Sequence, residues 1–468
     1  MESGAERQTG ERLIRVLAFT LVVSVMSATM FNIVLPEIRA EFQLTFAQVS
    51  WVTSAFLLIY AIGTVIYGKL ADIYKLKDLL TFGLIFFSVG SMIGLAAQAY
   101  WMVLLGRILQ AAGAAVIPAT SGIIPVRYFP PESRGRALGL SMTGLAIGSA
   151  IGPVVASLLM SIVHWRWLFC IPLLTLIALP YYRKYLDDER SKAGKVDWLG
   201  GGLLAGTAAL LLLAITNETW LPFIGCLVLF VLFMIRIRFS ANPFIRLELL
   251  RNKSYTLVLA MAFLNSGIGY SLSFLSPQLL TQVNHLAPHL VGFAMVPAAV
   301  TTAMLGRKAG KLADEKGNPY VFYTASSLLL TCFLLLSSFA GISPAYMALF
   351  LILGNVGLSY MMIALSNTIS RALPQEQIGV GMGLLSMLNF IAGAVSASVY
   401  STSVDRGASF GWNAVNTSPA AYVYSNIYLV LAVLHVLILL FYYFQFGRKD
   451  RRRKRRVSGF VHEANQHR

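Results

Sequence analysis

Hydrophobic residues dominate this chain in long runs separated by short polar breaks. The runs lie near 14–35, 50–70, 79–98, 101–124, 137–160, 166–182, 198–216, 219–237, 255–280, 290–308, 319–339, 343–366, 377–400 and 422–446. Most are about 20 residues long, enough for a helix to cross a hydrocarbon core about 30 Å thick. The pattern predicts an all-α polytopic membrane protein with about fourteen transmembrane helices. The first run, from Leu13 to Leu35, is long and is followed by no small-residue cleavage site. It is expected to remain as a span and not to be removed as a signal peptide.

The polar breaks repeat. Gly68-Lys69-Leu70-Ala71-Asp72 recurs as Gly310-Lys311-Leu312-Ala313-Asp314, each copy closing the second helix of a six-helix set. Pro131, Gly135 and Gly139 open a fifth helix, and Pro374, Gly379 and Gly383 open its counterpart. Both echoes are offset by about 242–244 residues. Six helices with short loops need only about 190 residues. The surplus fits the runs near 198–216 and 219–237, so the arrangement reads as six plus two plus six. The expected divisions are an N-terminal stretch 1–12, a six-helix bundle 13–185, an inserted two-helix segment with linkers 186–253, a second bundle 254–447 and a basic tail 448–468. Paired six-helix halves around a central site are the physics of an alternating-access transporter.

Composition agrees with this reading and charge orients it. Only 12% of residues are charged, against about 25% in a soluble domain. The formal net charge of +17 suggests nucleic acid at first sight, but the distribution of the cations argues otherwise. With the N-terminus placed in the cytoplasm, only Arg39, Arg166 and Arg406 fall outside and Arg107 falls within a span; the other Lys and Arg residues face the cytoplasm. That asymmetry predicts both termini inside a cell membrane. The tail Arg448–Arg456 reads as a solvated topogenic segment or an anionic-lipid contact, and no nucleic-acid partner is expected. Cys170, Cys226 and Cys332 all lie in apolar runs and read as small core residues. No metal cluster, cofactor motif or nucleophile–base set is found, so the chain is not expected to be an enzyme.

The 20 acidic residues fall at helix ends, in loops or in the tails. Arg107 and His435 are the ionisable groups well inside apolar runs. Such groups are costly in a bilayer and usually mark a working site. Arg107 has two readings: a cation satisfied by backbone carbonyls of helix 1 and by Gln110, or a charge facing the cavity. His435 reads as a lone histidine on a helix face or as a proton carrier. Gly144, Gly148 and Gly152 lie four apart and make a flat face for close packing, and Pro153 permits a kink. Uncharged polar residues inside the spans include Asn32, Gln110, Asn265, Tyr270, Gln278, Asn355 and Asn389. With Trp51, Phe56, Tyr60, Phe263, Phe274, Met387 and Phe390 they are candidates for a large, mostly neutral, aromatic cavity.

The chain resembles the major facilitator superfamily, in particular the fourteen-helix drug:proton antiporters that include Gram-positive tetracycline exporters. The resemblance runs nearly end to end and rests on Asn32-Ile33-Val34-Leu35-Pro36, the Gly68…Asp72 loop, Arg107-x-x-Gln110-x-x-Gly113, Gly148-x-x-x-Gly152-Pro153, His164-Trp165-Arg166-Trp167 and Asp197-Trp198-Leu199-Gly200. It implies that Gly68, Asp72, Gly310 and Asp314 belong to gate loops, with Asp72 pairing to Arg134 or Arg136. In the first copy Ile73 and Lys75 replace the usual Arg and Gly. It implies that Gly144, Gly148, Gly152 and Pro153 form an exporter-type hinge, and that Arg107 takes part in proton transfer beside a membrane acid. Those acids are missing: the family's positions fall at Ala28 (or Ser27), Ser149 and Gly393. The resemblance therefore implies an exporter of small amphiphilic compounds or drugs, acting as a monomer, and the missing acids favour a proton-independent facilitator. A translocator of organic anions or lipids using Arg107 is the further alternative.

Overall fold

The computed structural model describes residues 4–71, 73–129, 131–186, 197–240, 243–245 and 247–447. Every regular element is helical among these. The first six-helix set comprises α1 (Gly4–Phe42), α2 (Phe46–Leu70), α3 (Leu76–Leu95), α4 (Tyr100–Ala114), α5 (Val116–Tyr128), α6 (Pro131–Met160), a 3-10 helix over Trp165–Ala178 and α7 (Leu179–Tyr185). The insertion supplies α8 (Trp198–Asn217) and α9 (Trp220–Phe239), and the short α10 (Leu247–Arg251) follows. The second set comprises α11 (Lys253–Gln282), α12 (Pro288–Glu315), α13 (Asn318–Phe339), α14 (Pro344–Ala372), α15 (Gln375–Arg406) and α16 (Tyr422–Tyr442).

Among the described residues, 12 helices are long and apolar enough to cross a membrane. Within α6 and α12 the described residues show shorter apolar stretches, Ile147–Met160 and His289–Thr302. Two predicted spans differ in detail. The run near 101–124 divides at Ala115 into α4 and α5, where Pro118 has no N–H to offer the carbonyl of Ala114. The short run near 166–182 is a 3-10 helix for most of its length. A 3-10 helix rises about 2.0 Å per residue against 1.5 Å for an α-helix, so fewer residues cover the same depth.

Local sequence starts these helices. Thr45 caps α2 in a capping box with Gln48, Asn252 caps α11 through the Tyr255 N–H at 3.2 Å, and Asp197 caps α8 through the Gly200 N–H at 3.0 Å. Each satisfies backbone donors that the helix cannot satisfy itself.

The bundle has a near end, where Gly4 and Gly447 lie, and a far end, where α1 stops and α2 begins. The halves meet across two equivalent seams: α2 packs on α15, and α6 packs on α12. In the repeat, α12 corresponds to α2 and α15 to α6, so each half sets its second helix against the other's fifth. The helices α1 and α11 close the middle.

Candidate transport site

The site is built where α1, α2, α4, α11 and α15 approach one another. Arg107 on α4 is fully buried. Its Nε donates to the Val52 carbonyl at 3.1 Å, and Nη1 donates to the Ser27 carbonyl at 3.1 Å and to Gln110 Oε1 at 3.0 Å. Gln110 Nε2 donates in turn to Ser91 Oγ at 2.8 Å, so one cation ties α1, α2 and α3 to α4. The guanidinium also lies between two rings, 4.1 Å from the centroid of Phe31 and 3.9 Å from that of Phe56. In a desolvated setting such stacking is worth about 2 kcal/mol. This is the carbonyl-satisfied arrangement, with the charge held by dipoles and rings. Its Nη2 alone finds no hydrogen-bond partner.

Around Arg107 the polar groups are neutral. The Tyr270 hydroxyl on α11 reaches Asn32 Oδ1 on α1 across the halves in a long contact of 3.5 Å. Ser266 donates to Asn389 Oδ1 on α15 at 2.8 Å. Buried side-chain atoms without hydrogen-bond partners cluster on these same helices: Ser27 Oγ, Asn32 Nδ2, and both polar atoms of Asn265 and of Gln278. Native proteins rarely leave such atoms unpaired, and atoms of the same kind occur outside the site, on Asn318, Ser326, Tyr424 and His435. Asn355 differs: its Nδ2 donates to Leu351 O at 2.9 Å on its own helix. Aromatic rings line the seam, with Tyr60 edge-on to Phe390 at 4.9 Å and Tyr270 stacked on Phe274 at 5.8 Å.

The three positions where acids were expected have distinct surroundings. Ala28 is buried and Ser149 is exposed. Gly393 sits at the α2–α15 seam, where even a methyl group would lie 3.2 Å from Leu57 Cδ1 and 3.4 Å from the Tyr270 ring. A carboxylate there would be driven against apolar atoms, at a desolvation cost of several kcal/mol.

The glycine face of α6 lies along α1, the two helices running in the same direction. A Cβ at Gly144 would stand 2.9 Å from the Ala18 carbonyl and one at Gly148 would stand 2.6 Å from the Val22 carbonyl. At Gly152 it would strike the Thr29 hydroxyl. Pro153 lies on the adjoining face, where its carbonyl and Ser157 meet Gly292 of α12; Ser157 Oγ accepts from the Gly292 N–H at 2.7 Å. One helix thus packs within its half by glycines and across the halves by Pro153 and Ser157.

Among the predicted gate residues, Gly68 lies within α2, and Gly310 and Asp314 lie in the closing turns of α12. Arg134 and Arg136 lie in the first turns of α6. Asp72, the side chains of Arg134, Arg136 and Asp314, and the surroundings of Gly310 fall outside the described residues. His435 is buried on α16 with both ring nitrogens unpartnered.

Sequence reasoning missed the far-end contacts. The Asp405 carboxylate on α15 accepts from the backbone N–H of Phe46 at 2.8 Å and of Ala47 at 2.5 Å, at the start of α2. Ser54 Oγ donates to the Ala394 carbonyl at 3.1 Å one step deeper. Glu41 at the end of α1 accepts from Trp165 Nε1 and from Arg166 Nη2, both at 2.6 Å. The His164-Trp165-Arg166-Trp167 motif therefore anchors a helix end and does not face the cavity. An acid at a span terminus, two residues before Gly407, was the available signal for Asp405.

Comparison with known proteins agrees with this geometry. The family described as Major Facilitator Superfamily matches residues 17–397. The riboflavin transporter RibZ of Clostridioides difficile is 24% identical over 396 residues, covering 83% of this chain and 86% of that protein. The efflux pump dotC of Dothistroma septosporum is 27% identical over 401 residues, 81% of this chain and 69% of the pump. Multidrug resistance protein 3 of Bacillus subtilis is 26% identical over 314 residues, 64% of this chain and 61% of that protein. Among solved structures, a POT family transporter in complex with 5-aminolevulinic acid superimposes with a TM-score of 0.69 at 13% identity, covering 92% of this chain and 96% of that one. A bacterial homologue of the human lysosomal transporter Spinster gives 0.65 at 15% identity, covering 93% and 96%. At such identities the structural likeness speaks for the fold alone. With paired helix sets, a buried seam between them and a family match over most of its length, this multi-pass membrane chain belongs to the major facilitator superfamily.

Proposed function

We propose that the chain exports small amphiphilic organic compounds or drugs by alternating access, in the manner of the fourteen-helix exporters. The observation that carries this reading is the aromatic seam at mid-depth, lined by uncharged polar groups, where Tyr270 reaches Asn32 across the halves and Ser266 joins Asn389. Such a site suits bulky, weakly polar solutes. Efflux pumps among the relatives support the direction, and the glycine face of α6 is of the kind expected of exporters. The riboflavin transporter among them supports a flat, uncharged, amide-bearing solute as one class of cargo. Counting α6 and α12 as spans brings the total to fourteen, which the six-plus-two-plus-six repeat favours. The positive-inside rule then puts both termini in the cytoplasm of a cell-membrane protein. The far end becomes the outer face, and its contacts correspond to a transporter closed toward the outside. The chain works as a monomer, with anionic lipid as a contact of the tail 448–468.

The burial of Arg107 among carbonyls and rings, and the lack of an acid at Ala28, Ser149 and Gly393, favour proton-independent transport over antiport. They also count against an anion or lipid translocator using Arg107. Transport of a fluorescent substrate or riboflavin into everted vesicles, with and without an imposed pH gradient, tests this. Uptake indifferent to the gradient is expected; uptake that collapses when the gradient is dissipated at constant potential would restore antiport. No uptake across a panel of drugs and flavins would sink the export reading itself.

A further inference from the structure

The inserted helices do not stand apart from the rocking halves. At the near end, Asp197 accepts from Arg236 Nε at 3.1 Å and from the Phe244 N–H at 3.1 Å, while Lys69 Nζ of α2 donates to the Pro243 carbonyl at 2.8 Å. The Asp197 contacts tie the insertion together, and the Lys69 contact fastens it to the first half. At the far end it reaches both halves. Trp51 Nε1 on α2 donates to Thr216 Oγ1 at 3.1 Å, and Thr402 Oγ1 on α15 donates to the Ile215 carbonyl at 3.4 Å. Glu218 closes α8 in the left-handed region at φ 53°, a conformation that costs a non-glycine residue energy. It is held there by Arg406 at the end of α15, through Nε–Oε1 and Nη2–Oε2 contacts of 2.7 Å each.

We propose that the insertion is a clasp across the α2–α15 seam, which holds the far end shut until Arg406 lets go of Glu218. Consecutive residues on α15 make the grip: Asp405 holds the N-terminus of α2, and Arg406 holds the insertion that α2 itself carries. Parting α2 from α15 breaks both contacts, so each biases the equilibrium toward far-end closure. A contact made in one state only shifts the balance by its own differential strength. The alternating-access reading supplies the consequence for transport, but the clasp is testable without any substrate.

Ser50 is buried on α2, on the stripe between Ala47 and Ser54 that faces α15. A Ser50→Cys reporter is placed in a chain whose Cys170, Cys226 and Cys332 are replaced by Ser, reconstituted, and labelled with an impermeant maleimide. Glu218→Gln or Arg406→Gln should speed labelling about two- to five-fold, the range expected when a solvent-facing ion pair is lost. The swap Glu218→Arg with Arg406→Glu should return the rate toward that of the parent. Thr216→Val, which removes only one hydrogen bond, should give a smaller increase and keeps the test available if an Arg406 variant fails to accumulate. Unchanged rates in folded variants, or an increase that the swap does not reverse, would overturn the clasp.

Discussion

A methyl group decides whether α6 can lie against α1. Gly148→Val would thrust side-chain carbon onto the Val22 carbonyl, 2.6 Å from the Cβ position. Overpacking of this kind costs about 1–3 kcal/mol, and thermal unfolding in detergent should show the loss. Gly383→Ala, with nothing within 4 Å of its Cβ, should leave the midpoint nearly unchanged. Arg107 calls for a different expectation. Arg107→Ala removes the donor to three acceptors and leaves the buried Gln110 Oε1 without its partner, at about 1–3 kcal/mol for an unsatisfied group, besides the lost packing against Phe31 and Phe56. Expression and melting temperature should therefore fall together with transport. Arg107→Lys should not rescue them, because an ammonium cannot reproduce the planar fork that spans the Val52 and Ser27 carbonyls. A stable Arg107→Ala protein that has lost transport alone would return Arg107 to the cavity.

At the scale of the element, the ends of α8 matter more than its apolar middle. Asp197 caps the helix and binds Arg236 and the Phe244 N–H. Burial raises its carboxyl, but the Gly200 N–H, Arg236 and the Phe244 N–H outweigh it and hold the group below its ordinary value of 3.8. A depressed carboxyl contributes stability above its unfolded pKa and loses it as pH falls through the folded one. The α8 cap should thus be intact at neutral pH and released only in strong acid. Asp197→Ala should remove about 1 kcal/mol of capping and expose the near end of α8 to faster hydrogen exchange at neutral pH. Exchange limited to the far end, around Glu218, would contradict this account. The helix α9 tells the complementary story: most of its apolar side chains are exposed, as suits a helix whose outer surface meets lipid.

For the whole molecule, the described contacts between halves lie at the far end and at mid-depth: Asp405 with Phe46 and Ala47, Ser157 with Gly292, Ser54 with Ala394, and Tyr270 with Asn32. A transporter that rocks must break them in each cycle. Linking Ser54→Cys to Ala394→Cys with a short thiol-specific cross-linker should arrest substrate uptake into everted vesicles, and reduction should restore it. Uptake that continues through a complete cross-link would mean that the halves do not separate there.

The chain's own order determined a good deal. Continuous apolar runs dictated membrane-crossing helices, because no polar stretch within them offered another solvent. The echo of Gly68…Asp72 at Gly310…Asp314 implied paired halves, though not which helices would face each other across the seams. The glycine spacing on α6 foretold a flat face, though not that α1 would fill it. What needed tertiary structure was direction and partnership. Sequence left Arg107 open between cavity and carbonyls; only folding brings Val52, Ser27, Phe31 and Phe56 around it. It could not place Asp405 against the start of α2 or Glu218 against Arg406, since those partners lie far apart along the chain. Periodicity records which face of a helix avoids water. Which helix end an acid will cap depends on where the other half of the molecule comes to rest.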